Sequence, residues 1–222
     1  MFSAGLVLHH ILAEKKHAFG PKDERGMSEA DIQHKTEGNI REGQLKLSET
    51  ISPEACHLLK QMLQYSKDDR PTAASCLKHP FFWSKKEKKN FLFAVGNQPE
   101  FQQPRHFASS RGLSSVETDL EAAFASEFSS NPWDTQIPQI YTEMTSMPRS
   151  RRYTTSSAVD LVRFVRNSYA HCSESTRSSF FQQKLLDEYV YFDTFPTLVI
   201  TVYDIVMKYG WNSRKEIRNA LS

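Results

Sequence analysis

Residues 161–172 read LVRFVRNSYAHC, and this short run gathers Arg163, Arg166, Asn167, Tyr169 and His171. Ordinary core packing needs none of these polar groups. A guanidinium grips phosphate oxygens, an amide orients them, and an imidazole moves a proton near neutral pH. Those three functions are what cleavage of an RNA phosphodiester requires. The ribose 2′-OH can attack its own phosphate, so the protein must supply a base, an acid and positive charge around the developing oxyanion.

These side chains need a helix to hold them. At about 100° per residue, Val159, Leu161, Val162, Phe164, Val165 and Tyr169 fall in one broad apolar sector. Asp160, Arg163, Asn167 and His171 fall on the opposite side, with Arg166 at the border. Asn167 and His171 are four apart, one turn from each other. The same pattern also fits a plain solvated face, with Asp160 and Arg163 as a weak surface pair.

The surroundings add positive charge. Arg149, Arg151, Arg152, Arg163, Arg166 and Arg177 lie between residues 149 and 177, against Asp160 and Glu174 alone. A local basic patch suits a phosphate backbone, and a flexible basic loop is the bland equivalent. Tyr153 stands beside it, a phenol that arginines could turn into a base.

The whole chain excludes several classes. Its 222 residues are 39% apolar and 24% charged, with a net charge of +2, so no global field draws it to nucleic acid and phosphate binding must be local. Cys56, Cys76 and Cys172 form neither a disulfide framework nor a zinc pattern, which points to a reducing compartment. No apolar run reaches the ~18 residues of a membrane span. The opening MFSAGLVLHHILAEKK is preceded by nothing basic, so it reads as an element entered part-way rather than a signal peptide.

Along the chain the pattern is mainly α, with no sustained β-alternation. Helices are expected at 2–12, from a Ser28 cap to near Gly38, from a Ser52 cap with Pro53 at its first position, and after Pro71. Phe81, Phe82 and Trp83 form an apolar plug, and KKEKK at 85–89 marks a boundary and a solvated helix start. NQPEFQQPRHFASSRGLSS reads as a mobile loop. Further helices are expected at ETDLEAAFASEF, at about 156–171, and from Pro196 through Lys208 with Thr194 as cap. His9 and His10 read as helix-surface residues, and Cys172 as a small apolar filler.

Two stretches carry a resemblance. FSAGLVLHHIL and DDRPTAASCLKHPFF resemble helix F and the closing signature of a protein-kinase C-lobe, where the arginine, here Arg70, pairs with an upstream carboxylate that is missing. KHPFFW leading into RNSYAH and then YFDTFPTLVITVY resembles the kinase-extension nuclease (KEN) domain, shared by the inositol-requiring sensor of the unfolded protein response and by ribonuclease L. The resemblance implies a partial protein-kinase-like C-lobe at 1–84 and an all-helical KEN domain at 85–222.

Its functional implications follow residue by residue. His171 would be the general acid on the leaving 5′-oxygen, Tyr153 the general base, and Arg166 and Asn167 the holders of the scissile phosphate. Arg151, Arg152, Arg163 and Tyr169 are expected to contact RNA, while Asp160 and Trp133 support the fold. The implied reaction is metal-independent endoribonuclease cleavage to a 2′,3′-cyclic phosphate and a 5′-hydroxyl, by a homodimer or oligomer, in stress-response RNA splicing or decay. No cofactor and no metal are expected, and no carboxylate cluster resembles a two-metal site. The resemblance places the segment in the cytoplasm without membrane contact, and allows a longer parent anchored in the endoplasmic reticulum. The alternative is a silent RNA-binding or dimerisation module.

Kinase activity is not expected, because Gly-rich, Val-Ala-Ile-Lys, His-Arg-Asp and Asp-Phe-Gly motifs are all missing. Two departures concern the branch. Ala170-His171 stands where the sensor branch commonly has paired histidines, and AVGNQPEF resembles the ribonuclease L side.

Overall fold

The computed structural model describes residues 1–102, 112–146 and 152–221. Among them every regular element is helical, as the missing alternation requires. The chain divides into two compact units, Met1–Phe82 and Trp83–Ser222.

In the first unit, α1 (Phe2–Leu12) packs on α3 (Pro53–Met62), alongside α2 (Glu29–Arg41) and α4 (Ala73–Leu77). Ser52 accepts from the Ala55 amide at 3.3 Å with Pro53 behind it, so α3 starts where its capping residues dictate. Its apolar stripe, Ala55, Leu59 and Leu63, joins Ala13, Phe19 and Ile51 in one core. Gly5 lets α1 approach closely, since a Cβ there would lie 2.9 Å from the Leu63 side chain.

Several sequence expectations shift here. The second helix passes through Gly38 to Arg41, because one helical glycine costs only about 1 kcal/mol. His9 is buried rather than on the surface, donating from Nδ1 to the Lys16 carbonyl at 3.1 Å. Phe82 is exposed, so the expected plug loses its middle member. Arg70 turns to backbone, donating to the carbonyls of Gln64 and Tyr65 at 2.7 and 2.9 Å, with its guanidinium over the Phe2 ring.

The second unit is built around one helix. Its elements are α5 (Lys85–Gly96), α6 (Pro99–Gln102), α7 (Ser115–Ser130), α8 (Trp133–Gln136), α9 (Pro138–Thr145), α10 (Ala158–His171), α11 (Ser179–Leu186), α12 (Val190–Thr194), α13 (Leu198–Lys208) and α14 (Lys215–Ala220). Helix α10 packs against α5, α6 and α7. Phe91, Leu92 and Val95 of α5, Leu120, Phe124 and Phe128 of α7, and Val199 and Val202 of α13 share its core. Trp83 sits edge-on to Phe91 and Tyr203.

A remote carboxylate fixes the start of α10. Ser157 accepts from the Asp160 amide at 3.0 Å and donates to Glu121 of α7 at 2.7 Å; Glu121 also receives the amides of Ala158 and Val159. Three orphan donors of the helix terminus are thereby satisfied, and the negative charge opposes the helix dipole.

Two further expectations change. The 97–102 part of the expected mobile loop is packed, with Phe101 buried on α6; residues 103–111 lie outside the described residues. The last long helix begins at Leu198, and Thr194 caps nothing there but donates to the Val190 carbonyl within α12. Among the described residues, no helix is long and apolar enough to cross a membrane.

Candidate active site

Helix α10 carries the site, yet it lacks the solvated face that its periodicity predicts. Asp160, Arg163 and Asn167 are buried, because the segment from Arg152 covers the side assigned to water. Asp160 Oδ2 receives the Thr154 amide at 2.6 Å, and Arg163 donates to the Arg152 carbonyl at 2.9 Å. The two side chains, each 1% exposed, pair at 3.2 Å. Trp133 donates from its indole to the Ser157 carbonyl and from its backbone amide to the Thr155 carbonyl, each at 3.1 Å. Asp160, Arg163 and Trp133 therefore clamp the segment that presents Tyr153.

That arrangement corrects two expected RNA contacts. Arg163 is sealed against Asp160 and lies with its guanidinium over the Tyr153 ring, 5.1 Å from the centroid, so it faces no RNA. Tyr169 is also buried, edge-on to Tyr191. Burial pushes its phenol pKa far up, helped by neighbouring Tyr189 and Cys172. Arg152 is exposed at the rim, and Arg151 lies outside the described residues.

The remaining groups form a hydrogen-bonded row. Arg166 donates from Nε to the Asn97 side-chain oxygen at 2.6 Å and from Nη1 to the Asn167 oxygen at 3.0 Å. Arginine has only donors, so the Asn167 oxygen must face it and the amide nitrogen must face away. That nitrogen donates to the Tyr153 hydroxyl oxygen at 2.8 Å. Tyr153 is braced edge-on by Phe164 and Trp133, which set its ring angle. The Arg166 guanidinium is half-buried, and among the described residues its hydrogen bonds are made from Nε and Nη1.

His171 ends the helix, exposed, with Nδ1 bonded to Glu174 at 2.6 Å. The structure thus joins Arg166, Asn167 and Tyr153 directly and sets His171 on the same helix one turn beyond Asn167. Cys172 is buried with its thiol on the Tyr169 carbonyl, an apolar filler as its neighbours imply.

Three residues of this constellation escape a sequence reading. Asn97 is 69 positions from the arginine it orients. Gly96 is required because a Cβ would lie 2.6 Å from Arg166 Cβ. Glu174 stands at i+3 from His171, a helical spacing that is the one local signal available.

Residues 88–220 match the family described as Ribonuclease 2-5A. The chain belongs to that family. Residues 1–82 match the protein kinase domain, so this is a kinase-like remnant followed by a KEN domain, as the motifs imply. The chain is 30% identical over 213 residues to the serine/threonine-protein kinase/endoribonuclease IRE1a of Arabidopsis thaliana, covering 93% of this chain and 23% of that protein. The IRE1 of Oryza sativa subsp. japonica, a serine/threonine-protein kinase/endoribonuclease, is 30% identical over 94% of this chain and 21% of its own. The probable serine/threonine-protein kinase ireA of Dictyostelium discoideum is 27% identical over 94% and 19%. The chain spans about a fifth of the length of these curated relatives.

Proposed function

We propose that the KEN domain of this chain is a metal-independent endoribonuclease. The observation that carries the reading is the row Arg166–Asn167–Tyr153, on and beside the helix that ends in His171. In this reading the scissile phosphate sits against Arg166 Nη2 and the Asn167 amide. Tyr153, acting as its phenolate, takes the proton of the 2′-OH as that oxygen bonds to phosphorus. The P–O5′ bond breaks, and its electron pair leaves on O5′, which takes a proton from His171. The products are a 2′,3′-cyclic phosphate and a 5′-hydroxyl. Positive charge from Arg166 meets the oxyanion that develops between these events, and such a donor is worth about 10²–10³ in rate. Arg152 at the rim contacts the RNA backbone.

Dimeric assembly, and a role in stress-response RNA splicing or decay, belong to the same proposal. The relatives named as kinase/endoribonucleases support the endoribonuclease reading on which both rest. The test is cleavage of an end-labelled hairpin RNA in excess EDTA across a range of protein concentrations, with end-group analysis. Cyclic-phosphate ends that disappear in His171→Ala, and a rate rising faster than protein concentration, are the expected results. No cleavage at any concentration would make the domain a silent binding module. Cleavage abolished by EDTA would overturn the metal-independent chemistry.

A further inference from the structure

An imidazole that protonates a leaving group must present a chosen nitrogen, and something must choose it. His171 is exposed at a helix end, where a lone side chain would sample several rotamers and both tautomers. Glu174 removes that freedom, accepting from His171 Nδ1 at 2.6 Å. A carboxylate only accepts, so Nδ1 carries the proton and Nε2 is the nitrogen turned to the ligand.

Glu174 is itself held. Arg177 approaches its second oxygen at 3.9 Å and is anchored by a bond from Nη1 to the Glu143 carbonyl at 2.8 Å. The Glu143 carboxylate receives the Ser178 amide at 2.8 Å and the Ser178 hydroxyl at 2.6 Å, and Ser178 caps α11. Arg177 is nearly buried and lies over the Phe181 ring. The turn 172–178 is thus pinned to α9 and α11, and it returns a carboxylate to the catalytic helix. Arg177 and the His171 ring share that carboxylate.

We propose that Glu174 is the positioning residue of the general acid, with Arg177 as its anchor. The inference rests on the nuclease reading above. When the P–O5′ bond breaks, O5′ takes the Nε2 proton and His171 becomes neutral, keeping its Nδ1 proton in the hydrogen bond to Glu174. Glu174 touches no substrate atom. It stabilises the imidazolium before transfer and keeps Nε2 facing O5′, as a carboxylate behind a histidine does in acyl-transfer sites.

The test uses the full chain and two readouts. Long-range ¹H–¹⁵N spectra of His171 under alkaline conditions, where histidine is neutral, are expected to show the Nδ1–H tautomer. In Glu174→Ala they are expected to shift toward Nε2–H. Cleavage kcat in Glu174→Ala is expected to fall about 10–100-fold at little-changed KM, a part of the ~10²–10⁴ that positioned proton transfer supplies. A substrate with sulfur in place of O5′ at the cut needs no protonation of its leaving group. On it, the Glu174→Ala defect should shrink to within a few-fold, like that of His171→Ala.

Persistence of the full defect on the sulfur substrate would overturn the proposal in favour of a merely structural role. So would a wild-type His171 in the Nε2–H form. A wild type that cleaves neither substrate would instead defeat the nuclease reading itself, and the tautomer spectra keep the two failures apart.

Discussion

Asn167 donates to the Tyr153 hydroxyl oxygen at 2.8 Å while its own oxygen is held by Arg166 at 3.0 Å. One amide therefore couples the arginine proposed to hold the phosphate to the phenol proposed as base for the 2′-OH, and its polarity is set by the arginine. Asn167→Asp is nearly isosteric and keeps the arginine contact, but an ionised carboxylate cannot donate to Tyr153. Single-turnover cleavage should drop about 10²–10³-fold with KM little changed. An unaltered rate would mean the amide proton is not used.

The clamp beneath Tyr153 makes a stability prediction. Asp160→Ala strands the Arg163 guanidinium in a site where each partner is 1% exposed. Breaking one side of a buried ion pair costs about 3–5 kcal/mol, against a surface pair's ~0–1 kcal/mol. Urea unfolding followed by Trp133 fluorescence should show this loss, and Asp160→Ala/Arg163→Met should recover part of it. A loss below about 1 kcal/mol would return the pair to the surface.

Gly96 tests how closely α5 approaches α10. In Gly96→Ala the new methyl would sit 2.6 Å from Arg166 Cβ and 3.1 Å from its Cγ. Overpacking of this kind costs about 1–3 kcal/mol, more than the helix propensity that alanine adds at a helix end. The displaced arginine also loses its bond to Asn97. A lower melting temperature together with slower cleavage is expected; a more stable, fully active variant would contradict the geometry.

The first unit carries a pH dependence of its own. Burial holds the His9 imidazole below its ordinary range, opposed by its bond to Lys16 and reinforced by His17 and His10; burial and His10 lower His17. With a folded pKa below the unfolded value of about 6.5, both states are neutral at higher pH and nothing is lost. As pH falls below about 6.5, the unfolded chain binds protons that the folded chain resists, so stability declines. Urea titrations followed by the Leu58 and Leu59 methyl signals should show a falling midpoint from about pH 7 to about pH 5. His9→Gln should flatten that slope, and an equal slope in the variant would remove His9 as its source.

How much of this was readable beforehand varies by residue. Ser52-Pro53 and the apolar stripe behind it place α3 correctly, because caps and periodicity are local. The stretch RNSYAH likewise lies on a helix that ends at His171. What periodicity cannot see is a second segment lying on the polar side. Asp160, Arg163 and Asn167 look solvated on a wheel and are buried in fact, because the chain folds its own 152–157 backbone over them and supplies the amide and carbonyl that they need. Asn97 and Glu121 are invisible for a related reason. Each meets its partner across a long stretch of sequence, and no spacing rule links an α5 terminus or an α7 carboxylate to α10.

In the proposed reaction the ribose 2′-OH is the nucleophile. The most direct measurement takes a hairpin RNA mapped for its cut site and replaces that one nucleotide with its 2′-deoxy form. The wild-type chain should leave the deoxy position intact while cutting the all-ribose control. Cleavage of the deoxy substrate at the same bond would show that another nucleophile attacks, and the roles given to Tyr153 and His171 would fall with it.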